Sequence, residues 1–186
     1  MIGLHEPYIA GNEWKYVKEC LDTGWVSSAG SYVSKFEKNI AKYTGSKYAV
    51  AFVNGTSALQ LGLKLAGVIS DDEVIVPSIT FIAPINAVKY NLANPIFMDS
   101  DNFFNIDIDK TIDFIDNQTI FKNGHTYNKL TKKRISAIIP VHIFGNAVYL
   151  DELNDVCKER NIKIVEDASE SLGSVSYTHL TLPTKR

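Results

Sequence analysis

Cysteine is scarce in this sequence, with two in 186 residues. Cys20 and Cys157 lie far apart, at neither metal-ligand nor disulfide-scaffold spacing, and read as small core residues of a reducing cytosol. No apolar run reaches the roughly 18 residues that a membrane span needs. The opening Met1-Ile2-Gly3-Leu4-His5-Glu6 has neither the basic nor the apolar region of a secretory signal. Charge of one sign is not in excess: 19 basic against 21 acidic side chains leave a net −2, which gives no footprint for nucleic acid. There is no Gly-x-Gly-x-x-Gly and no Walker loop, so the fingerprints of dinucleotide and P-loop sites are absent. No repeat, low-complexity tract or interdomain linker interrupts the chain. These absences predict a cytoplasmic globular protein without membrane, nucleic-acid or metal partners.

What is present is an alternation of helices and strands. Trp14, Val17 and Leu21 fall on one helical face, which predicts a helix over 11–23 ended near Gly24. Val33, Phe36, Ile40 and Tyr43 repeat the pattern up to Gly45. The apolar run Tyr48–Val53 suits a buried strand, and a helix follows over Ser57–Ala66. Further strands are predicted at Val74–Pro77, Pro95–Asp99, Ile135–Val141 and Ile162–Val165. The helices between them fall at about 82–90, Asp109–Asp116 and around Leu150, Leu153 and Cys157. Residues 117–133 are polar and carry the hairpin signal Asn123-Gly124. Strands separated by helices of this length predict an α/β fold with a mainly parallel sheet flanked by helices.

Ligands of such sheets bind beyond the carboxyl ends of the strands. Three segments at those ends carry chemistry. Asn54-Gly55-Thr56-Ser57 precedes a helix, where free N–H groups and the positive dipole end suit a phosphate. The plainer reading is a tight turn at Gly55 with Thr56 capping the helix. Pro77-Ser78-Ile79-Thr80-Phe81 offers an aromatic face to a planar ligand, unless Phe81 is a core residue. Glu166-Asp167-Ala168-Ser169-Glu170-Ser171 ends an apolar strand. Alternation puts Glu166 and Asp167 on opposite sides, which argues against an acid pair. Glu166 fits a surface or capping role, and Asp167 lies nearer the ligand edge. His142 follows a strand and reads as a satisfied structural histidine. A phosphate, a flat ring and a cationic ring nitrogen together describe pyridoxal 5′-phosphate (PLP), whose ring nitrogen an aspartate keeps protonated.

The order of Gly24-Trp25-Val26-Ser27-Ser28, Phe36-Glu37, Asn54-Gly55-Thr56-Ser57-Ala58-Leu59, Pro77–Phe81, Pro140-Val141-His142-Ile143-Phe144-Gly145 and Glu166-Asp167-Ala168 resembles the DegT/DnrJ/EryC1/StrS family of nucleotide-sugar aminotransferases. The opening Gly11–Val17, the acidic 166–171 segment and the polar 117–133 insert are similar to its 4-keto-sugar branch of bacillosamine and legionaminic type. The resemblance implies the N-terminal part of a fold-type I PLP aminotransferase large domain, working as a homodimer. It implies that Gly55, Thr56 and Ser57 meet the cofactor phosphate, that Phe81 stacks on the ring and that Asp167 pairs with its nitrogen. Glu170 stands where relatives carry His or Gln near the ring, so its carboxylate needs a donor or a proton. Trp25 would shape the substrate pocket. The implied reaction transfers an amino group from glutamate to a nucleotide-linked 4-keto sugar.

That reaction needs a Schiff-base lysine, and no lysine here matches the family's segment; Lys185, in Leu182-Pro183-Thr184-Lys185-Arg186, does not. Residues 1–174 are therefore expected to be a truncated large domain, inactive alone. Val175–Thr184 reads like a translated sequencing adapter, which makes 175–186 an expected non-native tail. Two other functions fit the same residues: a PLP-dependent sugar dehydratase with histidine in place of the lysine, and a non-catalytic regulatory protein that binds PLP or nucleotide sugar.

Overall fold

The computed structural model describes residues 8–173, and the chain divides into two compact units between Ala51 and Phe52. The tail expected to be non-native lies outside the described residues. The first unit holds helices α1 (Glu13–Thr23) and α2 (Ser31–Thr44), which stop at Gly24 and Gly45 as their periodicity predicts. The Tyr16 and Tyr32 rings meet at 5.2 Å, and the Tyr32 hydroxyl donates to Glu19 at 2.7 Å. No residue of either helix is buried.

The run Tyr48–Val53 is a correction to the sequence reading. It forms no strand and has no ladder partner among the described residues. Tyr48 and Val53 are 75% and 90% exposed. Apolar composition furnishes side chains for a sheet face, but a strand exists only where a neighbour accepts its N–H groups.

The second unit runs α3 (Gly55–Leu65), β1 (Glu73–Pro77), α4 (Ile82–Tyr90), β2 (Asn94–Met98), α5 (Ile108–Gln118), β3 (Thr119–Lys122), β4 (His125–Asn128), β5 (Arg134–Ile138), α6 (Asp151–Glu159) and β6 (Lys163–Ile164). Three pairings are parallel, β2 to β1, β1 to β5 and β5 to β6. The polar 117–133 segment makes the sheet mixed. Asn123 and Gly124 both take left-handed φ, 53° and 77°, and close the β3–β4 hairpin, whose second strand pairs antiparallel with β5. Along β5 the hairpin takes Arg134 and Ile135, then β6 takes Ala137 and Ile138. The hairpin thus occupies the amino end of β5 and leaves the carboxyl end to β6.

All five residues of β1 are buried, as suits a central parallel strand. Val74 and Val76 face a core built with Leu59 and Leu63 of α3 and with Ala87 and Val88 of α4. Ile75 faces the other way, toward Ile115 of α5 and Leu153 and Cys157 of α6. On β5 a bulge at Ser136 lets Ile135 join the second core and Ala137 the first. Burial pushes the Cys157 thiol up to about 12, so it acts as a small apolar core group. At the amino edge, Arg134 grips the buried carboxylate of Asp72 with two nitrogens, Nε at 2.9 Å, and the pairing holds the guanidinium above its ordinary pKa. No helix among the described residues is long and apolar enough to cross a membrane.

Candidate active site

The carboxyl edge of the sheet is assembled from three chain segments. At the first, Asn54 rather than Thr56 caps α3: its Oδ1 accepts from Ser57 N–H at 2.8 Å. Ala58 N–H bonds the Asn54 carbonyl. The N–H groups of Gly55 and Thr56 have no partner among the described residues. They are the two donors that this helix end, with its positive dipole, leaves for an anion. Gly55 does not need a left-handed backbone. A β-carbon there would instead stand 3.7 Å from Ser169 Oγ, in the space between the helix end and the 167–170 turn.

At the second segment, Phe81 caps α4 without a side-chain bond, and the residue is 76% exposed. It is therefore not the core phenylalanine of the plainer reading. Thr80 beside it keeps a buried Oγ1 with no hydrogen-bond partner.

The third segment is an extension of the sheet. Val141 and Asp167 form a parallel bridge just beyond β5 and β6, with Asp167 N–H donating to Pro140 at 2.9 Å and His142 N–H donating to Asp167 at 3.2 Å. Pairing fixes the aspartate's position, and the residue is only 8% exposed. Oδ1 accepts both the Ser169 hydroxyl at 2.6 Å and the Ser169 N–H at 3.1 Å. Oδ2 is left without a bonded donor, and no cation pairs with Asp167 among the described residues. A buried charge held this way is costly unless a ligand completes it. Glu166 points to the other side, where it meets His142 Nε2 at 3.3 Å. His142 Nδ1 accepts from Val148 N–H at 3.0 Å, so this histidine is structural, as its sequence context predicts.

Gly55, Thr56, Thr80, Phe81, Val141, Ile143, Asp167, Ser169 and Glu170 together line a cavity of about 280 Å³. Five of the six cofactor residues read from the sequence meet there; Ser57 lies one residue along α3, its N–H spent on the cap. The donor that Glu170 requires is the Phe144 N–H, at 2.6 Å. Trp25 lies in the first unit and is 58% exposed. Ser169 and Thr80 carry no role in the sequence reading. Ser169 is nonetheless signalled by the Asp-x-Ser spacing, which lets a side-chain oxygen bond two positions ahead.

A larger hollow of about 630 Å³ is walled by Asp101, Asp107, Asp109, Asp151 and Glu152, with Lys110 the one basic residue in its lining. Lys110 is already bonded to Asp99 at 2.6 Å, which holds its ammonium above the ordinary pKa. A phosphate would be repelled there. The smaller cavity joins anion donors, an open aromatic face and an uncompensated carboxylate, a set that fits PLP.

The set lies at the carboxyl ends of the parallel strands of this mixed sheet, the edge where ligands of α/β folds bind. The chain belongs to the DegT/DnrJ/EryC1/StrS aminotransferase family, whose model matches residues 7–179. It is 38% identical over 173 residues to the GDP-perosamine synthase of Escherichia coli O157:H7 and 40% identical over 174 residues to that of Caulobacter vibrioides. Each alignment takes in 93% of this chain and 43% of the relative, so the chain spans about two fifths of the relatives' length. Among solved structures, the E. coli GDP-4-keto-6-deoxy-D-mannose-3-dehydratase with bound hydrated PLP superposes with a TM-score of 0.77 at 27% identity, over 94% of this chain and 42% of that one.

Proposed function

We propose that the cavity between α3, α4 and the Asp167 turn holds PLP and serves the transfer of an amino group from glutamate to a nucleotide-linked 4-keto sugar. The observation that carries this reading is Asp167, a buried carboxylate with one oxygen uncommitted, set opposite the two unused N–H groups of α3. When bound, PLP would supply an electron-withdrawing ring and an aldehyde carbon able to carry the amino group. The chain's own residues bind and polarise it. Gly55 and Thr56 N–H groups receive the phosphate, and the Thr80 hydroxyl is a further donor free to turn toward the ligand. Phe81 covers a ring face and shields it from water. Asp167 Oδ2 holds the proton on the ring nitrogen, since an opposite charge beside it favours the protonated form.

A nucleotide-linked acceptor is supported by the relatives' named activities, and the proposal further places the protein as a homodimer in the cytoplasm. No lysine of this chain matches the family's covalent position in context, and on that ground the 186 residues alone are proposed not to turn over, with 175–186 proposed as a non-native tail. The superposition on a sugar 3-dehydratase supports a second reading, loss of a sugar hydroxyl in place of amination. Incubating the protein of the complete gene with PLP, glutamate and a nucleotide-linked 4-keto sugar separates the two. Incorporation of glutamate nitrogen into the sugar is expected. Deoxygenation of the sugar without retained nitrogen would establish the second reading and overturn the first.

A further inference from the structure

Two phenylalanines on adjacent loops hold a backbone conformation that bulky residues seldom adopt. Phe104 has φ of 67° and Phe144 of 52°. For a large side chain each is a genuine outlier, of the kind that persists only where the surroundings over-determine it and that clusters at ligand sites. The surroundings here do so. Asp101 Oδ1 accepts from Phe103 and Asn105 N–H at 2.8 and 3.0 Å, which shapes the first loop. Buried Asn105 then ties the two loops, accepting from Ile143 N–H at 3.0 Å and donating to the Asn146 carbonyl at 3.2 Å. Glu170 fixes Phe144 itself through its N–H.

All this polar structure supports two rings that the described residues leave uncovered. They stand edge to face, with centroids 6.4 Å apart and planes at 84°, and are 50% and 78% exposed. Burial among the described residues therefore does not explain them. They adjoin the cofactor cavity, because two of its lining residues reach them: Ile143 precedes Phe144 and donates to Asn105 of the Phe104 loop, and Glu170 accepts from the Phe144 N–H.

The geometry points to a stacking platform for the nucleobase of the substrate, formed by Phe104 and Phe144 at the rim of the cavity. The inference rests on the nucleotide-sugar reading above. An edge-to-face pair keeps ring faces open for one more planar, uncharged heterocycle, and base–aromatic stacking does not depend on which base is offered. The sugar end of such a substrate has to reach the cavity, so its base lies away from the reacting carbon, toward the rim.

The test is calorimetric titration of the protein with GDP, and in parallel with pyridoxamine 5′-phosphate. Phe104→Ala and Phe144→Ala should each weaken GDP at least tenfold and leave pyridoxamine phosphate unchanged, while Phe144→Trp keeps GDP affinity. Phe144→Gly, which removes the left-handed penalty, should weaken GDP without lowering the melting temperature. GDP binding with full affinity to both alanine variants would overturn the platform and leave the nucleotide-sugar reading intact. No binding of GDP, UDP or dTDP to the wild type would overturn both. If the alanine variants instead dissociate copies of the chain at unchanged GDP affinity, the pair is a contact between copies and the platform is wrong.

Discussion

Replacing Asp167 with asparagine isolates the charge at the heart of the site. Asparagine has nearly the same shape, and its Oδ1 can still accept the two Ser169 bonds, now at 2.6 and 3.1 Å. The other carboxylate oxygen becomes an amide donor, which cannot keep a proton on a ring nitrogen facing it. Removing one partner of a buried charge pair costs about 2–5 kcal/mol. With packing preserved, about 3 kcal/mol is expected, or roughly a hundredfold rise in the cofactor dissociation constant. The empty protein should respond in the opposite sense. Its buried carboxylate has no cation partner among the described residues, so neutralising it should stabilise the fold by about 1 kcal/mol, within the range seen when a functional strain is removed. For a chain of this length that is roughly 2–4 °C in melting temperature. Titration of pyridoxamine 5′-phosphate by fluorescence, beside thermal melts of the unliganded proteins, measures both. Unchanged ligand affinity together with an unchanged or lower melting temperature would refute the reasoning.

Three further outcomes follow from the surrounding structure. Arg134→Ala leaves Asp72 buried and unpaired, so denaturant unfolding should show a loss of about 3 kcal/mol, whereas Lys133→Ala, whose partner Asp71 is 74% exposed, should stay within about 0.5 kcal/mol. Equal effects would contradict the burial argument. Tyr32 donates to Glu19, which raises its hydroxyl to about 12; because the folded value is raised, the bond's contribution is complete below about pH 10, the ordinary tyrosine value, and lost as the pH climbs through 12. Ultraviolet titration of Glu19→Ala should show one tyrosine returned to about 10, and an unchanged curve would sink the assignment. Iodoacetamide at pH 8 should modify the half-exposed Cys20 well before the buried Cys157, with the reverse order excluded by this packing.

Much of the site is readable in the sequence because the chemistry sits beside strong local signals. Gly55, Phe81 and Asp167 each follow an apolar run or open a helix, and the sheet rule then brings them to one edge. What escapes the sequence depends on partners distant along the chain. Tyr48–Val53 has strand composition without a strand neighbour among the described residues. The hairpin strands Thr119–Lys122 and His125–Asn128 are too polar to announce themselves, although Asn123-Gly124 marks their turn; their pairing to β5 is a tertiary event. Asn54 outcompetes Thr56 as the cap because its side chain already reaches the Ser57 N–H. The left-handed Phe104 and Phe144 run against every local preference, and they are held by Asn105 and Glu170, residues that periodicity alone leaves without a role.

The most direct test of the central claim is an amide nitrogen–proton shift map of the protein titrated with pyridoxamine 5′-phosphate, a ligand without the aldehyde that would react with surface lysines. The largest changes should fall on the Gly55 and Thr56 amides and on Asp167 to Ser169, saturating together at one equivalent. Largest changes at Lys122, Lys129 and Lys132 around the hairpin, with Gly55 and Thr56 unmoved, would show that the cofactor site lies elsewhere.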